Sequence, residues 1–309
     1  MRFGFLLPAW LAFAGIIPVA RAAAVGSGDV LLTDQLASRI VVLSAQTGKR
    51  SVLPTTPLPP YPAGLALSRQ GELFVSAFGG IVRLDLGTGT WNWIATTTAA
   101  FDWYGSLTID LDGALLAVDP AGNRTVVRID PASGAITPLL SGTASFRPIG
   151  IAVLESGVIM VTAGASIYRY DRVRHQLRLF VTVTDLIATT SLVYVPSLHR
   201  LAVGGGAQLL DTGAVVLYDT VTGARLAKLP FEPPGQIAVA RDGGFLFGIG
   251  GGEVWHWAPN LTTDRPVSCF QPGDDFDPQC MGRYTGFAVV DAPVPARARS
   301  WGRLKAMYR

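Results

Sequence analysis

A repeat constrains this chain more than any other feature. A short apolar alternation, usually a glycine seven residues on, and a second apolar strand recur along it. The copies read GLALSRQGELFV from Gly64, SLTIDLDGALLAV from Ser106, GIAVLESGVIMV from Gly150, SLVYVPSLHRLAV from Ser191 and QIAVARDGGFLFG from Gln236. Their starts lie 42, 44, 41 and 45 residues apart, the period of a four-stranded β-propeller blade. The second half of each unit repeats as well, in IVVLSAQTG, IVRLDLGTG, VVRIDPASG, IYRYDRVRH, VVLYDTVTG and VWHWAPN. Period-two alternation of β-branched residues marks these as strands, and short glycine-containing connections make them hairpins. Asp85, Asp130, Asp171 and Asp219 form one column before the turns. Aspartate there accepts backbone N–H bonds, so the column predicts turn capping and not catalysis.

Counting strands sets the topology. The first unit, Asp29 to Leu53, has second, third and fourth strands but no first, whereas GFAVV from Gly286 matches a first strand with no blade behind it. The simplest closure lays Gly286–Val290 beside the N-terminal unit as its innermost strand, which protects both terminal edges. The expected fold is therefore all-β: a six-bladed propeller of four-stranded blades over residues 23–291, its first blade closed by the C-terminal strand.

The ends read differently from the body. Arg2, the apolar run Phe3 to Ala20 and the A-x-A site Ala20-Arg21-Ala22 predict a signal peptide over residues 1–22. This implies a secreted protein, extracellular or periplasmic, that is not integral to a membrane once the signal is removed. Residues 292–309 are a Pro-rich spacer and a basic tail, whose Trp301, Leu304 and Tyr308 fall at helical spacing; a surface-attachment tag and a frayed terminus fit equally. These ends carry seven of the 25 Lys and Arg residues and no acid, leaving 18 basic against 22 acidic residues in the body. The basic pI of about 9.0 thus arises at the termini, and a nucleic-acid-binding body is not indicated. Cys269 and Cys280, close together in an exported chain, predict a disulfide stapling the connection into the closing strand.

The segments RPIGIAVLESGVIMVTAGASIYRYD and GSLTIDLDGALLAVDPAGNRTVVRIDPASG resemble NHL-repeat propellers and the wider six-bladed superfamily that includes the gluconolactonases. That resemblance implies a divalent metal, calcium or another, held by carboxylate and Asn ligands near the entries of the first strands. The residue pairs at those entries are Pro62-Ala63, Tyr104-Gly105, Pro148-Ile149, Thr189-Thr190, Pro234-Gly235 and Tyr284-Thr285. None offers such a ligand. Asp34, ending VLLTD, and Asp119, ending LLAVD, are the carboxylates on which a cation site would have to be built, although turn capping is the simpler use of both.

On the same face the chain offers Tyr61, the run Phe101-Asp102-Trp103-Tyr104, Arg147 and Tyr284. Large aromatics beside a carboxylate suit a sugar, peptide or small-molecule surface; alternatively they plug the channel. No G-x-S-x-G elbow, H-E-x-x-H or phosphate loop occurs. His256 shares its strand column with Arg83, Arg128 and Arg169, which marks a blade-face residue. The residues favour a monomeric, non-catalytic binding module for a protein, glycan or small ligand. The alternatives are a metal-dependent hydrolase or lactonase, and a lyase of the streptogramin-inactivating type, for which Glu253 and His256 are the near acid–histidine pair.

Overall fold

A computed structural model describes residues 25–68, 70–96, 105–119, 124–141, 146–206, 213–231, 235–248, 254–257, 264–268 and 284–290. They form six four-stranded antiparallel sheets. From the inside outwards, the second blade is Leu65–Leu67, Leu73–Ala77, Gly80–Leu84 and Trp91–Thr96, and the third is Leu107–Ile109, Leu115–Asp119, Thr125–Ile129 and Ile136–Leu140. The fourth is Pro148–Val153, Ile159–Ala163, Ser166–Asp171 and Gln176–Thr182; the fifth is Ala188–Val195, Arg200–Gly206, Gly213–Asp219 and Arg225–Phe231. The sixth is Ile237–Val239, Phe245–Gly248, Val254–Trp257 and Asp264–Ser268. Inner strands of successive blades contact one another in cyclic order, so the ring is closed.

The first blade is composite, as strand counting predicts. Its strands run in the order Tyr284–Val289, Val30–Asp34, Arg39–Leu43 and Arg50–Val52. Val30 pairs with Val289, Leu32 with Phe287 and Thr33 with Gly286. The closing strand begins two residues earlier than Gly286, because a register shift beyond Thr33 brings Tyr284 opposite Asp34.

The second and third strands read as near-continuous apolar runs because both of their faces are buried. In the first blade Leu31, Ile40 and Val42 pack towards Leu73, Val75 and Val82 of the second. The alternate residues Leu32, Val41 and Leu43 pack towards Leu246 and Val254 of the sixth. Six apolar clusters result, one at each junction between neighbouring blades. Leu31 and Leu32 are both fully buried, each worth about 1.5–3 kcal/mol relative to exposure. Cohesion therefore lies between blades, and outer strands such as Gln176–Thr182 carry mostly exposed or half-buried residues.

The Asp column caps turns. Asp85 Oδ1 accepts the N–H of Gly87 at 2.8 Å, Asp130 Oδ1 that of Ala132 at 2.8 Å, Asp171 Oδ1 that of Arg174 at 3.0 Å and Asp219 Oδ1 that of Thr222 at 2.7 Å. Those N–H groups are the leading reason why the carboxyls of Asp130 and Asp219 sit below their ordinary range and that of Asp171 falls to about 2. Two turn columns also require a left-handed residue. Glycine fills most of these positions, but His175 and His199 stand in two of them at φ 52° and 50°. Histidine is tolerated there, and each ring is held by a tyrosine five residues back: Tyr170 Oη lies 3.0 Å from His175 Nδ1, and Tyr194 Oη 3.2 Å from His199 Nδ1. Two of the chain's three histidines thus serve turn geometry.

Candidate functional site

Antiparallel pairing puts the starts of the inner strands, the second-to-third turns and the links between blades at one end of the ring. At this end the inner strands of the first five blades are irregular. Gly286 pairs with Thr33 and Tyr284 with Asp34; Pro148 pairs with Ala163 and Gly150 with Thr162; Thr189 pairs with Gly205 and Ser191 with Gly204. One residue is skipped each time. In the second and third blades the same bulge appears as Ala63 N–H to Ser76 O with Ser76 N–H to Gly64 O, and as Gly105 N–H to Val118 O with Val118 N–H to Ser106 O. Such bulges re-aim side chains at a sheet end. They set Gly64, Ser106, Gly150, Ser191, Gln236 and Gly286, the first residue of every repeat, around one end of the central channel.

Three of those six positions are glycine, and packing explains two of them. A Cβ on Gly64 would lie 3.0 Å from Gly105 O and Leu107 N, and one on Gly150 would lie 2.8 Å from Thr162 Oγ1 and 2.9 Å from Leu192 N. The bulged backbone is held by hydroxyls from the second strands. Ser76 Oγ accepts Gly64 N–H at 2.7 Å, Thr162 Oγ1 accepts Gly150 N–H at 2.9 Å, and Thr33 Oγ1 donates to Ala63 O at 2.8 Å.

The positions that are not glycine carry neutral hydrogen-bonding groups. Gln236, on the sixth blade, donates from Nε2 to Gly105 O beside the third blade at 3.1 Å. These blades lie opposite each other, so the amide reaches across the channel. Beneath it is a cavity of about 430 Å³ bounded by all six inner strands. Its lining is about as polar as it is apolar, with Ser106, Thr108, Ser191, Tyr194 and Gln236 among the polar residues, and carries no charged side chain among the described residues. Ser191 is only 4% exposed, and its Oγ has no hydrogen-bond partner among the described residues.

The opposite end of the ring is charged and internally paired. Within blades, Arg83 meets Glu72, Arg128 meets Asp112 and His256 Nε2 meets Asp242 Oδ2 at 3.0 Å. Between the third and fourth blades, Arg172 holds the buried Asp110 through two bonds of 2.8 and 2.6 Å and donates from Nε to Gly157 O at 2.7 Å. The bonds to Asp110 raise the Arg172 guanidinium further above its ordinary value. Where the channel reaches this end, Tyr194 contacts His199, which lies 3.9 Å from Glu155. Burial, and then the Glu155 carboxylate, push the Tyr194 hydroxyl above its usual range and keep it protonated.

The residues proposed from sequence divide as follows. Tyr61 and Arg147 lie exposed in links between blades, Tyr61 with a left-handed backbone at φ 55°, and Tyr284 starts the closing strand. All three belong to the end that carries the Gln236 ring. Asp102, Trp103, Tyr104, Cys269, Cys280 and Glu253 lie outside the described residues. Asp34 and Asp119 end the second strands of the first and third blades, with a blade between them. Asp34 Oδ2 takes Arg39 Nε at 2.9 Å and its Oδ1 takes Ala37 N–H at 3.1 Å. A divalent cation needs several oxygens converging on one point, and Asp34 and Asp119 stand on blades that are not neighbours. Among the described residues no group of three or more His, Cys, Asp or Glu side chains is placed to hold a metal. His256, committed to Asp242 at the opposite end, does not face the Gln236 ring. Sequence reading passed over Ser106, Ser191 and Gln236 because their column looked like repeat framework; the signal was its variation between glycine and hydrogen-bonding residues.

No family model matches the chain, and no curated protein matches it in sequence. Solved structures do match in shape. The chain is similar to a propeller in a nidogen/laminin complex, with a TM-score of 0.66 and 12% identity over 85% of this chain and 99% of that one. It is also similar to a gluconolactonase of Xanthomonas campestris, with a TM-score of 0.59 and 16% identity over 73% and 84% of the two chains. A virginiamycin B lyase of Staphylococcus aureus matches with a TM-score of 0.58 and 16% identity over 81% and 84%. At such identities the likeness shows the fold alone, a six-bladed propeller, and one fold hosts many functions.

Proposed function

We propose that this chain is an exported, non-catalytic binding module that meets its partner with the end of the ring carrying Tyr61, Arg147, Tyr284 and the loop Asp102-Trp103-Tyr104. The observation that carries the reading is the chemistry of that end. Its described core is a ring of glycines, serines and one glutamine, and of the two aspartates that end second strands there, Asp34 and Asp119, Asp34 is already committed to Arg39 and a backbone N–H. Neutral groups and rim aromatics recognise surfaces; they do not assemble an acid, a base or a nucleophile. Export is supported by the signal-like residues 1–22. No helix among the described residues is long and apolar enough to cross a membrane. The nidogen/laminin neighbour supports protein recognition as one use of such a face.

A binding screen against glycans and exported proteins tests this, run in parallel on the triple variant Asp102→Ala, Trp103→Ala, Tyr104→Ala. Ligands captured by the parent and lost by a folded triple variant are expected; ligands kept by the variant would move the site elsewhere. The metal-dependent hydrolase reading rests on the gluconolactonase neighbours. It predicts stoichiometric calcium or another divalent ion in the purified protein and a lower melting temperature in chelator. Elemental analysis together with a thermal melt in EDTA decides between the two.

A further inference from the structure

We propose that the fourth blade carries a binding site for a small phosphate monoester, held between Arg169 and Arg178. The pairing that marks the charged end fails on this blade. Arg83, Arg128, Arg169 and His256 share one column of the third strands. In the second, third and sixth blades an acid from the hairpin between the first two strands meets that residue: Glu72, Asp112 and Asp242. Asp112 and Asp242 each stand directly before the left-handed turn glycine, Gly113 and Gly243; before the equivalent Gly157 of the fourth blade stands Ser156. The acid is therefore missing. Glu155, next along the chain, does not replace it, because it lies 3.9 Å from His199 of the fifth blade.

The fourth blade also adds a second cation to the first. Arg178 of the outer strand is directly opposite Arg169, where the second and third blades set Asn92 and Thr137 opposite their arginines. Like charges in register are destabilising, and neither side chain has an ion-pair or hydrogen-bond partner among the described residues. Both line a depression of about 510 Å³, together with Ser156. Its other charged residues are committed: Arg172 to Asp110 and Gly157 O, and Asp171 to Arg174 and the N–H groups of its turn. Two positive charges are left to be balanced from outside. On the second blade the corresponding depression is lined by Glu72 as well as Arg83, and the balance there is internal.

This arrangement defines the ligand. Two neighbouring guanidinium groups match one dianion, and their planar forks fit phosphate oxygens in pairs. A phosphate monoester carries close to two negative charges at neutral pH, whereas a carboxylate or a sulfate ester carries one. Ser156 adds a hydroxyl donor. The volume is that of a small-molecule pocket, larger than a bare anion fills, and Val158, Leu179 and Phe180 offer apolar surface to the body of the ester. The site belongs to the charged end of the ring, away from Tyr61, Arg147 and Tyr284, and does not depend on the rim reading.

The test is calorimetric titration of the full-length protein with phenyl phosphate, phenyl sulfate and inorganic phosphate at neutral pH and fixed ionic strength. Phenyl phosphate is expected to bind with a dissociation constant below about 1 mM, and roughly tenfold or more tightly than either of the others. Ser156→Asp restores the acid of the third and sixth blades. It is expected to weaken phenyl phosphate at least tenfold without lowering the melting temperature of the ligand-free protein, and Arg178→Gln is expected to weaken it equally. The rim triple variant should bind phenyl phosphate as the parent does, so failure of the rim reading leaves this one standing. No binding of phenyl phosphate, or binding that survives either Ser156→Asp or Arg178→Gln, overturns the site. Equal affinity for phenyl sulfate or for inorganic phosphate overturns the assignment to a phosphate monoester.

Discussion

The two ends of the channel are built from the same repeats by opposite means. At one end the turns carry charge, and that charge is consumed internally: Arg83 with Glu72, Arg128 with Asp112, Arg172 with Asp110, His256 with Asp242. At the other the repeat-start positions are glycine, serine and glutamine, held by hydroxyls of Thr33, Ser76 and Thr162. Electrostatics secures the first end and close backbone approach secures the second. One end of the ring is thus built on close backbone and hydroxyl contacts, while the other takes ion pairs within blades and, through Arg172 and Asp110, between them.

The comparison can be broken at several points. The largest effect is expected from ending the chain before Gly286, which strips the first blade of its inner strand and the ring of one repeat-start position. That protein is expected to lose cooperative unfolding by circular dichroism, whereas a chain ending after Ala292 keeps every described strand and melts as the parent does. Next comes Gly150→Val at the neutral end. Its side chain would press on Thr162 and on the Leu192 backbone, and overpacking of this kind costs about 1–3 kcal/mol, read as a lower urea midpoint.

Arg172→Ala at the charged end is expected to cost about 2 kcal/mol, since it leaves Asp110 buried without its partner; the figure is kept low because the Arg172 side chain is 39% exposed and screened by water. In molar salt the Arg172→Ala deficit should shrink and the Gly150→Val deficit should persist, which separates the two mechanisms. A smaller effect concerns pH. Asp130, Asp171 and Asp219 titrate lower in the folded chain than in the unfolded one. Their contribution is therefore complete above about pH 4 and is lost as pH falls towards the folded value, about 2 at Asp171. Melting temperatures across that window should fall less steeply in the triple Asp→Asn variant, which keeps an accepting oxygen but no titratable group. Smallest is His199→Gly, which restores the residue type of the other blades at a left-handed position and is expected to change the unfolding free energy by less than about 1 kcal/mol.

Much of this architecture was legible because it is periodic. Four aspartates at one turn position and a first strand missing at the N-terminus but spare at the C-terminus are patterns that need no coordinates to interpret. The candidate site was less legible, for a physical reason. Its members matter through their departure from the pattern, and a serine where a glycine usually stands looks like noise until the inner strands are brought round into a circle. Gln236 and Gly105 are 131 positions apart, and no local periodicity relates them. Asp34 illustrates the converse: its place at the end of a second strand could be read off the chain, but its commitment to Arg39 needed the turn between them to be closed.

The composite first blade also bears on timing. Leu32 meets its inner-strand partner Phe287 only after 255 further residues have been made, on the order of tens of seconds at ordinary elongation rates. Until then the N-terminal strands Val30–Asp34 and Arg39–Leu43 have neither an inner neighbour nor a sixth blade to cover them. The ring cannot close until Tyr284–Val289 has been made. A lock made by the last described strand thus leaves the first blade with an open inner edge and one uncovered face through almost all of that time.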